Sequence, residues 1–293
     1  MPTIAQELIR QVAHAAYTAF LFTKSDIKTT VVPVTFFAIA AAPISAAERL
    51  PHTVLWIWLH LLQFDVSNQT LRPEEDVINK ADRPLPRNRI SLQSAIRLRW
   101  ILIPTCWALS AFYSAETVYA SIALVACTIV YDELSFHSGH WMIRNLVNAA
   151  GFASFEAGAT LVAGSDYHRL DRVAVLSVCI SAGIFATTIH SQDFKDEHGD
   201  RAVGRQTIPI IFPSVARYTV VVPLLLWSIG LSAIWKLDAF TSVAFMSLAA
   251  FVGLRFLTLR TVASDQISFY WYNVWLSIAH ALPGYYRLYS RDE

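Results

Sequence analysis

Asp193, Asp196 and Asp200 stand at i, i+3 and i+7, which on a helix is one face. Carboxylates stacked this way repel one another, so a helix carrying them is costly unless a cation sits among them. A second acidic group lies upstream. Asn68, Arg72 and Asp76 fall at i, i+4 and i+8 with Glu75 alongside, and Pro73 should bend the helix that bears them. Oxygen donors of this kind suit Mg²⁺, which keeps part of its hydration and shares ligands with phosphate oxygens. The expected metal ligands are Asn68, Glu75, Asp76, Asp193, Asp196 and Asp200, with Asn68, Glu75, Asp76, Asp196 and Asp200 expected to serve catalysis. Mg²⁺ alone needs no basic neighbours, yet Arg72, Lys80, Arg83, Lys195, Arg201 and Arg205 are interleaved with the acids. A diphosphate would use them through charge-assisted hydrogen bonds. The pattern predicts a magnesium diphosphate site built from two separate segments.

The elements that must hold these segments are apolar. The chain has 293 residues, 55% of them hydrophobic and only 15% charged, where a soluble domain carries about a quarter charged residues. A spanning helix needs roughly 20 mostly apolar residues, and nine candidates occur, near 30–47, 50–69, 92–114, 116–134, 141–164, 171–190, 214–235, 239–259 and 267–288. The expected class is therefore an all-α polytopic membrane protein, a single domain over 1–293. Within residues 1–23, Ile4, Leu8, Val12, Ala15, Ala16, Ala19 and Phe20 recur at helical spacing, which predicts an amphipathic helix lying on the membrane surface. Glu7, Arg10 and His14 interrupt any signal-peptide core there. Most of the 23 Lys and Arg residues fall on the side of the N-terminus and of both acidic clusters, which the positive-inside rule places in the cytosol. A net charge of +1 gives no field for nucleic acid, and Cys106, Cys127 and Cys179 lie in apolar stretches without metal-ligand spacing.

Polar groups within spans are functional hypotheses by default. Asn145 and Asn148 open the fifth span, and Glu156 lies deeper in it. Glu156 is either a late proton acceptor or the partner of another intramembrane polar group. A hydrocarbon cation formed beneath the head-group site would need aromatic faces nearby. Phe64, Tyr131, Phe152 and Tyr272, with Asn145, Asn148, Glu156 and Gln192, are the candidates for lining that cavity.

These features together resemble a known family. The run from Asn68 through Lys80, Arg83, Pro84 and Pro86, and the run from Gln192 to Pro209, are similar to the two motifs of the UbiA superfamily of membrane prenyltransferases. Their usual forms are NDxxDxxxD and DxxxD. The resemblance implies helices around a central cavity, with the motifs facing each other across its mouth and binding a prenyl diphosphate with Mg²⁺. The second motif is intact. In the first, Gln69 and Arg72 stand where acids are usual, and Asp76 keeps the last position. That departure is similar to the fungal membrane-bound terpene cyclases. It implies ionisation of farnesyl diphosphate and cyclisation to a sesquiterpene of bergamotene type. The alternative is transfer of the prenyl group to an aromatic or other small acceptor. A transporter with acidic ion sites would leave the interleaved cations unexplained. Resemblance to eukaryotic members implies the endoplasmic reticulum membrane, and no obligate protein partner is expected.

Overall fold

The computed structural model describes residues 3–43, 47–71, 73, 76–77, 80–134 and 140–289, and its regular elements are all helical. A capping box between Thr3 and Gln6 starts α1 (Ile4–Thr23). A π-helical turn (Ile27–Val31) follows and runs into α2 (Val32–Ala41), where Pro33 occupies the first turn, a position that needs no amide donor. The first span thus ends earlier than its apolar run predicts. Next come α3 (Arg49–Leu71), α4 (Leu92–Ala111), α5 (Ala115–Asp132), α6 (Trp141–Ala163) and α7 (Arg172–Thr188). Ser91, Ser114 and Asp171 cap α4, α5 and α7 by accepting an amide hydrogen bond. A 3₁₀ turn (Ile189–Gln192) leads into α8 (Asp193–Ala202), followed by the short α9 (Ile208–Ile211), then α10 (Tyr218–Ile234), α11 (Ala239–Thr258) and α12 (Val262–Tyr289).

Among the described residues, nine helices correspond to the nine apolar runs. Each packs on the next: α2 on α3, then α4, α5, α6, α7, α10, α11 and α12, which returns to α2. The bundle is therefore a closed ring, with α6 also reaching α2 and α3. Four helical runs, Ala115–Asp132, Trp141–Ala163, Arg172–Ala202 and Ala239–Thr258, are individually long and apolar enough to cross a bilayer. Ile101, Phe112, Tyr119, Leu226, Ile229 and Leu254 are exposed on outward faces. So large an apolar periphery matches lipid rather than water.

Close packing fixes the ring. Gly158 on α6 lets the indole of Trp56 on α3 lie against the backbone, where a Cβ would collide with it. Trp56 is wholly buried and donates to Ser110 Oγ at 2.9 Å. At one end Arg217 pairs with Asp265 at 2.7 and 2.9 Å, tying α10 to α12. At the other, Arg287 clamps Asp171 at 2.7 and 2.8 Å, tying α12 to α7. The N-terminal half of α1 is exposed, including Ile4, Leu8, Ile9 and Val12, whereas Leu21 and Phe22 at its end are buried and Phe22 packs with Leu62 and Val66.

Candidate active site

A cavity of about 290 Å³ opens where α3 and α7 end. Its depth is lined by Phe64, Tyr131, Asn148, Phe152, Phe185 and Tyr272, and its mouth by two walls of charge.

One wall is α8 and the turn before it. The 3₁₀ turn breaks the axis of α7, so that Gln192, Lys195, Asp196 and Asp200 reach the cavity. Asp196 is paired with its neighbour Lys195, whose ammonium also lies 5.4 Å from the ring centre of Phe269. Asp200 Oδ1 accepts from Arg205 Nη1 at 2.8 Å. Asp193 does not line the cavity. It is buried, and its Oδ2 accepts from Arg144 Nη1 on α6 at 2.5 Å. The three-carboxylate face expected from spacing is thus divided, two groups turned to the cavity and one turned inward to a guanidinium. Arg201, expected to meet the diphosphate, is instead exposed, pairs with Glu197 at 2.8 Å and does not line the cavity.

The opposite wall is assembled from separate segments. Asn68 at the end of α3 donates to Asp132 Oδ1 on α5 at 3.1 Å. Asp76 accepts from Arg83 Nη1 at 2.8 and 3.0 Å, and Arg83 Nη2 lies 3.9 Å from Asp26 Oδ2. Lys80 also lines the cavity, and loss of hydration, reinforced by the charge of Arg83, holds its ammonium below the ordinary lysine range. Arg72 and Glu75 lie outside the described residues. Asp26 and Asp65 line this wall too, although sequence spacing does not single them out. A signal existed for Asp65, an acid inside an apolar span one turn before Asn68.

Two residues expected in the cavity do not line it. Asn145 sits between α6 and α7, 3.4 Å from the carbonyl of Ala186 and 3.5 Å from His190 Nδ1. Glu156 is wholly buried, accepts from Ser181 Oγ at 2.8 Å and lies 3.5 Å from His280 Nε2. Phe185 packs edge-on against His280 and stacks on Phe152 at 3.9 Å and 12°. The Phe152–Phe185 pair lines the cavity, with this polar cluster behind it.

Among the described residues, no three His, Cys, Asp or Glu side chains converge as a metal cage. Buried oxygens are nonetheless unused at the mouth: Asp65 Oδ2, Asp132 Oδ2 and Asp200 Oδ2 accept no hydrogen bond, and Nε of Arg83 and of Arg144 donates none. Spare hard-oxygen acceptors beside spare guanidinium donors fit Mg²⁺ shared with an oxyanion, since Mg²⁺ is usually held by one or two carboxylates together with substrate phosphates.

Comparison with known proteins shows the family and the fold. The profile of the UbiA prenyltransferase family matches residues 30–276. The fumagillin beta-trans-bergamotene synthase of Aspergillus fumigatus is 34% identical over 274 residues, covering 92% of this chain and 93% of its own. The diterpene cyclase eriG of Hericium erinaceus is 30% identical over 250 residues, covering 80% and 78%. Among solved structures, a UbiA homolog from Archaeoglobus fulgidus bound to DMAPP and Mg²⁺ superposes with a TM-score of 0.67 at 13% identity, over 90% of this chain and 98% of that one.

Proposed function

The chain belongs to the UbiA prenyltransferase family, and from that premise we propose that it is a membrane-bound class I terpene cyclase that ionises farnesyl diphosphate and closes the resulting cation into a bergamotene-type sesquiterpene. The observation that carries this reading is the division of a single cavity into a charged mouth and an aromatic depth. A volume of about 290 Å³ is near the lower end of ligand pockets, roughly 300–1,000 Å³, which favours one prenyl chain over a chain and an acceptor together. A side chamber of about 70 Å³ branches past Phe64, Tyr131, Asn148 and Phe152. Leu61, Leu124, Val147 and Phe155 line it together with Thr30, His60 and Thr128, a mostly apolar wall that suits a hydrocarbon tail. Similarity to two cyclases supports the same reading.

In this reading Lys80, Arg83, Lys195 and Arg205 meet the diphosphate at the mouth and offset the charge that grows as the allylic C–O bond breaks. Mg²⁺ held by Asp76, Asp196 and Asp200 would add positive charge to the leaving group. Phe64, Phe152, Phe185 and Tyr272 exclude water from the cation and present ring faces to it. Glu156 lies behind the Phe152–Phe185 stack, so the released diphosphate is the proposed final base. The excess of Lys and Arg on the motif side supports a mouth open to the cytosol, and the endoplasmic reticulum membrane is proposed from the family resemblance alone.

Membranes containing the protein, given Mg²⁺ and farnesyl diphosphate alone, should release a cyclic hydrocarbon detectable by gas chromatography and mass spectrometry. Prenylated product with an added aromatic acceptor, and no hydrocarbon without one, would overturn cyclisation in favour of transfer.

A further inference from the structure

Asp26 and Asp65 come from different segments and meet on the wall opposite α8. Asp26 precedes the π-helical turn, whose wide winding has the carbonyl of Asp26 accepting from the amides of both Thr30, at 2.8 Å, and Val31, at 3.4 Å. π-Turns of this kind recur at functional sites. Ser25 Oγ and Thr29 Oγ1 donate to the Asp26 carboxylate at 2.8 and 3.4 Å. That carboxylate lies beside the one of Asp65 on α3. Asp65 is 3% exposed and lines the cavity, and among the described residues its Oδ2 accepts no hydrogen bond.

Two carboxylates side by side repel unless they share a proton or a cation. Arg83 and Lys80 stand near the pair and offset part of its charge, and among the described residues neither donates a hydrogen bond to it. Arg83 Nη1 is committed to Asp76, and Arg83 Nη2, at 3.9 Å from Asp26, is beyond hydrogen-bond distance. We infer that Asp26 and Asp65 hold a divalent metal ion at the mouth of the cavity, standing in on this wall for the acids that Gln69 and Arg72 displace. Diphosphate oxygens and water complete its shell. The diphosphate rests on the proposed function; the metal site rests on the pair itself. Mg²⁺ needs only one or two carboxylates when phosphate supplies the rest, so a pair suffices where, among the described residues, no three-carboxylate cage exists.

The test uses the full-length protein in detergent, with Mn²⁺ as the paramagnetic probe and inorganic diphosphate as the oxyanion. Free Mn²⁺ is followed by electron paramagnetic resonance. Wild type should bind Mn²⁺ saturably when diphosphate is present. Asp65→Asn should lose one ion per chain or weaken it at least tenfold, and Asp196→Asn should lose a different one, so that the double variant loses both. Asparagine is isosteric with a protonated aspartic acid. If Asp65 instead shares a proton with Asp26, Asp65→Asn binds Mn²⁺ like wild type and the inference is overturned. Asp26→Asn, on the turn rather than within a span, repeats the test if Asp65→Asn fails to fold. No Mn²⁺ uptake by wild type with diphosphate would bring down the proposed function as well; uptake unchanged in both variants brings down only the metal pair.

Discussion

The two walls of the cavity mouth reach similar chemistry by different routes. On the α8 wall, carboxylates and cations alternate within a dozen residues, and each acid that lines the cavity finds its partner nearby, Asp196 with Lys195 and Asp200 with Arg205. The other wall gathers Asp26 from the turn after α1, Asp65 and Asn68 from α3, Asp76 and Arg83 from the connection beyond, and Asp132 from α5. One wall is written into α8 and the few residues after it, and is held to α6 by the Arg144–Asp193 pair. The other exists only while α2, α3 and α5 are packed. In the proposed reading the local wall grips the head group, and the assembled wall is where small packing changes would alter the outcome.

The sharpest way to break this comparison concerns how the local wall is anchored. Arg144→Met leaves Asp193 buried without its partner and should destabilise the protein by about 3–5 kcal/mol. Adding Asp193→Leu should restore much of the thermal unfolding midpoint in detergent. No recovery in the double variant would mean that the ion pair is not what holds α8 to α6. Asp200→Ala keeps that anchor and removes an acid that lines the cavity. Diphosphate release should fall about 10²–10³-fold, as for loss of other groups that meet developing charge, and full turnover would remove α8 from the chemistry. On the assembled wall, Asn68→Ala removes the donor to Asp132. The Mg²⁺ concentration for half-maximal rate should rise about 10–100-fold with a smaller change at saturation; an unchanged requirement would make that wall passive. Lys80 gives the mildest test. Its lowered pKa means that raising the pH neutralises it earlier than an ordinary lysine, so diphosphate affinity should weaken on the alkaline side. Lys80→Arg stays charged there and should move that limb upward in pH. Coincident profiles would exclude Lys80 as its source.

This difference also explains what could be read from sequence. Asp196 and Asp200 were legible because helical spacing and neighbouring cations are local facts, and the nine apolar runs were legible because the bilayer demands them. Asp26 was not, because only the packing of the π-turn against α3 brings it to Asp65. Asp193 shares a helical arc with Asp196 and Asp200, yet Arg144 arrives from another helix and holds it inward. Glu156 looked like a cavity acid by depth alone. Ser181 on the next helix and His280 on α12 hold it behind the Phe152–Phe185 stack, as the partner of other buried polar groups.

The pairing of Asp76, Asp196 and Asp200 with Arg83, Lys195 and Arg205 has a consequence for how the site fills. In the proposed reading, a metal ion arriving alone at these three acids weakens each acid's hold on its cation. An oxyanion arriving alone does the reverse. When both arrive together, every weakened pair is replaced by two new ones, carboxylate to metal and cation to phosphate. In the proposed reading these pairs make the mouth a coincidence detector, favouring metal and diphosphate together over either one by itself.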